Sequence, residues 1–383
     1  PQPRLIQGEK EGTKSLWQWD IAQIEALGIT DNVVELMIGK LKKLPNSTQQ
    51  VLRLAACVGN SFDLNTLSII YENSISETFQ DLLPALKEEL INPSSVVKTT
   101  ETEDISSQLL VFNYKFLHDR VQQAAYALID NSLEKAVHLR IGKLLLANTP
   151  LEERPEIIFK LVDHLNIGSD LMADEEEKIE LVILNLEAAR KAKDATAYTS
   201  SLHYLTASMK DLPSDIWIRR YDLAFLLHKK RAEIEYLNGN FARSEALLEL
   251  TLSKAKSVLE KAEIYNMLIV QHTMLAKYKE AIQAGRNALS LLGIDLPEGE
   301  LQTAVALELS EANNKLQNKN IASLINLEEI KLPEIKAAAK LLANMGPLSY
   351  FVNLDLWQLV TVKATNLSLT YGYASGAAYS YSC

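Results

Sequence analysis

The sequence predicts a mainly α chain in two parts: a compact N-terminal module of short helices and strand-like segments, then a long run of paired helices. Three observations carry this. Apolar residues recur at helical spacing, as in Val33, Val34, Met37, Ile38, Leu41 and Leu44. Only 14 Gly and 11 Pro interrupt 383 residues rich in Leu/Ala/Glu/Lys stretches. A strand-like segment, Leu109 to Phe116, runs directly into a helix that starts near Asp119.

A chain of this length exceeds one ordinary core and implies two or three domains or a repeat array. A hydrophobic content of 47% and a charged content of 23% are ordinary for a soluble globular protein. A net charge of -10 and a pI of about 5.3 argue against nucleic acid or an anionic membrane as partner, since both need a basic face. Cys57 and Cys383 are too few for a disulfide framework or a metal cluster, and a reducing cytoplasm is the simplest compartment. No segment reads as a signal peptide or a spanning helix. The chain starts at Pro1 and stops at Cys383 in what reads as an uncapped helix, so a piece of a longer protein, or a truncated product, is expected.

In chain order, the first sixteen residues show no clear element. Trp17 to Leu27 reads as a strand or loop entering a helix that ends at Gly28. Thr30 or Asp31 then caps a helix broken by Pro45. Ser47 with Gln50 suggests a capping box for a helix from Val51 to about Val58, ended by Gly59-Asn60. Asp63 opens another helix, and Ser76 to Leu90 forms a third. Polar residues from Ser94 to Gln108 make a turn before the strand that ends at Phe116. Three short helices followed by a hairpin-like pair is a winged-helix pattern, placed over residues 30–132. Its recognition-position helix carries Glu77, Asp81, Glu88 and Glu89 against Lys87, which phosphates would repel.

From Leu133 onward helices follow one another, over about 133–148, 155–167, 174–193, 195–210, 215–238, 241–257, 259–276, 278–292, 299–317, 334–345 and 353–370. Gly346-Pro347 is one expected break. Tyr236 to Leu247 aligns with Thr273 to Ala281, which places Phe241 and Tyr278 37 positions apart, with Tyr198 a looser third member. That spacing is near the helix-turn-helix repeat of about 34 residues, so residues 133–383 are expected to form a tetratricopeptide-like α-superhelix. Its concave side could hold a protein partner or a small effector.

Chemistry is concentrated in one place. His118 precedes a helix start, where an anion can meet free N–H groups, and Asp119 is placed to cap that helix. Arg120 could pair with a phosphate or stay solvated. The bland reading of His118 is a partly buried ring bonded to a carbonyl. His138, His164, His203, His228 and His272 look scattered, with no metal-ligand spacing. No Gly-x-x-x-x-Gly-Lys-Ser/Thr loop, kinase catalytic loop, Asp-Phe-Gly or Gly-x-Ser-x-Gly occurs.

Phe116-Leu117-His118-Asp119-Arg120-Val121-Gln122-Gln123-Ala124-Ala125-Tyr126 resembles the ATPase segment of signal-transduction ATPases with numerous domains. The likeness is nearest to cyanobacterial-type multidomain serine/threonine kinases that also carry GAF and histidine kinase domains. Gly28 to Met37, Leu54 to Gly59 and Ala189 to Lys193 resemble the same group. The resemblance implies that residues 1–29 end an ATPase lid region or linker, followed by a winged helix and repeats. It also implies a non-catalytic regulatory and sensor segment that couples nucleotide state to effector or partner binding. His118 would reach the nucleotide's terminal phosphate, oriented by Asp119 with Arg120 beside it. The parent would be a serine/threonine and/or histidine kinase with an ATPase module, using ATP/ADP with magnesium on an adjoining nucleotide-binding domain; this chain itself holds no cofactor. Two other readings stay open: a stand-alone helical-repeat scaffold, and part of an ATP-regulated transcription activator.

Overall fold

The computed structural model describes residues 4–6, 16–18, 33–94, 113–210, 212–317, 324 and 327–373. The expected helix before Gly28, the Thr30 or Asp31 cap, most of the Ser94–Gln108 turn, the strand from 109 to 112 and the final helix beyond 373 lie outside these residues. The chain divides into two compact units, Pro1–Glu177 and Lys178–Cys383.

The first unit opens with a strand pair, of which the sequence suggests the second member, near Trp17, but not the first. β1 (Arg4–Ile6) runs antiparallel to β2 (Leu16–Gln18), with Leu5 opposite Trp17. Three-residue strands are too short to show an alternating pattern. Next come α1 (Val33–Leu41), α2 (Asn46–Val58), β3 (Ser61–Asp63), α3 (Leu64–Tyr71), α4 (Ile75–Lys87), β4 (Ile91–Pro93), β5 (Asn113–Phe116) and α5 (Asp119–Tyr126). The three strands form an antiparallel sheet in the order β3-β5-β4. From α2 to β5 the element order is helix, strand, two helices, then two strands.

Alternation explains the sheet. On β5, Tyr114 and Phe116 face inward while Asn113 and Lys115 face out. Phe62 on β3 stands opposite Tyr114 and packs on both inward rings, with ring centres 6.0 and 5.6 Å away. Leu52, Leu64, Leu67 and Leu82 on the surrounding helices are buried as well. Asp63 caps α3 as expected, its Oδ1 accepting from the Thr66 N–H at 2.6 Å. The anticipated Ser47–Gln50 box is absent. α2 begins at Asn46 behind Pro45, so Ser47 already lies inside the helix. Gln49, within the first turn of α2, donates from its side chain to the Leu44 carbonyl at 2.8 Å. A capping box does form one helix later, between Ser74 and Glu77, and starts α4 ahead of the expected Ser76.

After α5 the unit ends in an antiparallel pair, α6 (Glu134–Asn148) and α7 (Arg154–Gly168), followed by a 3-10 turn, Ser169–Leu171.

The second unit is helical throughout its main elements: α8 (Glu175–Asp194), α9 (Tyr198–Lys210), α10 (Ile216–Arg219), α11 (Tyr221–Leu237), α12 (Phe241–Lys254), α13 (Val258–Met274), α14 (Tyr278–Leu291), α15 (Leu301–Leu316), α16 (Pro333–Val352) and α17 (Leu354–Tyr371). One turn recurs three times. Thr196, Gly239 and Ala276 take left-handed φ values of 59°, 81° and 56°. After each, the next N–H reaches back to close the preceding helix: Ala197 to Ala192, Asn240 to Glu235 and Lys277 to His272, at 2.8–2.9 Å. Tyr198, Phe241 and Tyr278 then begin α9, α12 and α14. One turn further along, Ser201, Ser244 and Ala281 are buried. The two serine hydroxyls donate back to the preceding helix, at Ala189 and Ala232. This is repeat architecture: each pair packs on the next, and α12 to α14, α16 and α17 share one core that includes Leu248, Ile264, Leu342, Met345 and Leu359.

Two expected boundaries differ. The 215–238 segment is broken at Arg220, whose φ of -138° and ψ of 58° separate α10 from α11. Conversely, α16 continues through Gly346-Pro347. Proline costs a helix one N–H. Here Leu342, Met345 and Leu348 on either side are buried in the shared core, which outweighs that loss.

Candidate functional site

The His118 position is built by the sheet. β5 is the central strand and ends at the buried ring of Phe116. The Phe116 N–H donates to the Asn60 carbonyl at 2.9 Å, and the Leu117 N–H donates to the Leu90 carbonyl at 3.0 Å. Both bonds hold the strand's end against its neighbours. α5 starts two residues later and is fastened by buried Val121, Ala124 and Ala125, and by Gln122, whose amide donates to the Ala56 carbonyl at 3.0 Å. His118 lies between these anchors in extended conformation, φ -144° and ψ 152°, with its side chain exposed. Its carbonyl accepts from the Val121 N–H at 2.9 Å.

His118 is therefore the residue that precedes the helix, and the expected role of Asp119 as cap is corrected. Asp119 is the first residue of α5, and no side chain caps the helix. An extended residue just outside a helix can turn its side chain back onto the first N–H groups, whereas one inside the first turn points away. Asp119 contributes through its charge in the first turn instead. Arg120 is exposed and donates from Nη1 to Gln123 Oε1 at 2.8 Å. The three residues thus share one exposed helix start, with an imidazole, a carboxylate and a guanidinium side by side.

In the second unit a recess of about 470 Å³ opens between α8, α9 and α11. Its apolar wall includes Ile183 and Leu226, both exposed, with Arg190, Lys193 and Lys230 at its edge. Lys193 and Lys230 both bond Glu233. Burial alone would raise the Glu233 carboxyl, but those two ammonium groups hold it below the usual carboxylate range. Lys230 also lines an adjoining recess of about 300 Å³ between α11, α12 and α13.

The view of the histidines as scattered is corrected for one pair. His138 on α6 and His164 on α7 meet inside the first unit, Nδ1 to Nδ1 at 2.8 Å. The two positions are equidistant from Leu151 in the connection between the helices. That symmetry is the sequence signal that could have revealed them, once the two helices are read as a closed hairpin. Burial holds both rings below the ordinary histidine value, His164 at about 4. Burial also pushes the Cys57 thiol up to about 12, which makes it a poor nucleophile. Among the described residues no three His, Cys, Asp or Glu side chains cluster as metal ligands, and no helix is long and apolar enough to cross a membrane.

No family model matches the chain. It is 25% identical to hybrid signal transduction histidine kinase G of Dictyostelium discoideum over 427 aligned residues. The match covers 95% of this chain and 12% of that protein, so the chain spans about an eighth of its relative's length. Among solved structures, it is similar to a signal transduction ATPase with numerous domains that carries a tetratricopeptide repeat sensor, from Pyrococcus horikoshii. That similarity has 15% identity and a TM-score of 0.37, over 91% of this chain and 48% of that one.

Proposed function

We propose that this chain is the regulatory and sensor segment of a multidomain signalling protein, coupling the nucleotide state of an adjoining ATPase domain to effector or partner binding. The observation that carries the reading is the exposed His118 imidazole at the start of α5, on a helix packed against α1 and α2. The long match to a signal transduction histidine kinase supports it. In this reading the chain performs no catalysis. ATP or ADP, with magnesium, sits on a neighbouring domain of a parent that is a serine/threonine kinase, a histidine kinase or both. The His118 N–H donates to the terminal phosphate of ADP, with the free N–H groups of the α5 start and Arg120 close by. Replacing ADP alters that contact and frees the winged-helix module to move, an order change of the kind that nucleotide switches use. The helical array then presents its recesses to an effector.

Calorimetry with ADP tests this on two chains: the present one, and one extended upstream through a phosphate-binding loop. The reading expects binding only by the extended chain, weakened by His118→Ala. Equal ADP affinity in wild type and His118→Ala would remove the sensor role. A second reading, a helical-repeat scaffold, is favoured by the exposed Ile183 and Leu226 in the α8–α11 recess. It expects neither chain to bind nucleotide.

A further inference from the structure

A polar row in the first unit, half-buried at Tyr126 and Glu134 and buried at its two histidines, joins three helices. The Tyr126 hydroxyl, at the end of α5, lies 2.6 Å from Glu134 Oε1 and 2.9 Å from His138 Nε2. His138 Nδ1 in turn meets His164 Nδ1 at 2.8 Å, and the ring centres are 5.0 Å apart. His138 is 3% exposed and His164 5%.

Counting hydrogens gives the row one direction. Ionised Glu134 only accepts, so the single hydroxyl proton of Tyr126 goes to it. Tyr126 then accepts from His138 Nε2–H. A neutral His138 with its proton on Nε2 has a bare Nδ1, and His164 Nδ1–H donates there. Every bond is filled once, with both rings neutral and in opposite tautomers. One added proton can be accommodated on the pair. Two cannot, because two imidazolium rings would turn N–H donors and like charges at each other across 2.8 Å in a buried place.

We propose that the His138–His164 pair is an acid-sensitive latch: with both rings neutral it ties α7 to α6 and, through Tyr126, to the end of α5, and protonation of both rings releases α7. The surrounding groups fit this role. On α6, Glu134 favours a proton on His138. On α7, Lys160 disfavours one on His164. From α2, Cys57 stays a neutral thiol. α3, packed on α6, brings Tyr71, whose hydroxyl is bonded to Asp81. The turn after α7 brings Asp170, which is paired with Lys135. No carboxylate lies among the bonded partners of His164 to stabilise its charged form.

The sign follows from burial. Opened or unfolded chains protonate these rings near pH 6.5, while the closed row stays neutral to lower pH, about 4 for His164. The opened state therefore binds more protons in that window. The latch is fully effective above about pH 6.5 and weakens as pH falls toward 4. Each proton taken up on opening raises the opening constant about tenfold per pH unit.

Two measurements on the full chain test the latch. With selectively ¹⁵N-labelled histidine, two-bond imidazole spectra at pH 6 should show His138 as the Nε2–H tautomer and His164 as the Nδ1–H tautomer, both neutral. Either ring titrating near 6.5, or both rings in the same tautomer, overturns the proposal. Urea unfolding followed between pH 7 and 5 should show the unfolding constant of the first unit rising on acidification. In His164→Asn, whose amide can still donate to His138, that rise should be smaller by about tenfold per pH unit. Equal slopes in wild type and His164→Asn overturn the proposal. If the variant does not fold, the spectra of the native chain decide.

Discussion

The sheet module of the first unit and the helical array of the second are held together on different plans. In the module a single strand, β5, is bonded on both edges, and the rings of Phe62, Tyr114 and Phe116 meet beneath it. In the array the same turn recurs at Thr196, Gly239 and Ala276, and each helix pair covers its neighbours. A closed core responds as a whole, whereas stacked pairs respond locally. This difference suits the proposed division of labour, with a rigid support for His118 in the first unit and an adaptable binding surface in the second.

Mutations sharpen the contrast. Phe62→Ala removes the ring that joins two strands and should cost about 4 kcal/mol. Hydrogen exchange should then show protection falling together from α2 through α5. Loss confined to β3 would contradict the single-core view. Leu248→Ala, in the array core, should cost about 3 kcal/mol by urea unfolding. Its loss of protection should stay within α11 to α14. A loss spreading to α17 would show the array to be as cooperative as the module. Gly285→Ala should cost about 1–3 kcal/mol, because the new Cβ would collide with Met345 Sδ and must displace that side chain. Ala276→Gly acts the other way: it relieves a left-handed φ of 56° and should raise stability by about 0.5–1 kcal/mol in thermal melts. A destabilised Ala276→Gly would mean that the turn is held by packing of the Ala276 methyl rather than by backbone geometry.

Much of this was legible in the sequence because it is local. Helical periodicity placed the long helices to within a few residues in most cases. Asp63 announced the cap of α3. The Phe241–Tyr278 alignment revealed a repeat whose third member, at Tyr198, shares the same left-handed turn. What escaped depends on partners far away in the chain. Pro347 reads as a break until the core around Leu342 and Leu348 is known. Ser47 reads as a cap until Pro45 is seen to precede the helix directly. The three-residue strands β1 and β2 carry no period. His138 and His164 become a pair only when α6 and α7 close about Leu151. The His118 position was legible as a helix start. The motif did not reveal that Asp119 falls inside that helix, because the shift is one residue and both residue types suit a helix N-terminus.

The measurement that tests the central claim most directly is the rate of ADP release from the chain extended through its nucleotide-binding domain, compared with His118→Ala. A hydrogen bond to a phosphate contributes about 1.5–3 kcal/mol, so the variant should release ADP about 10- to 100-fold faster. Release at the wild-type rate would contradict the account and leave His118 an exposed residue at the start of a well-anchored helix.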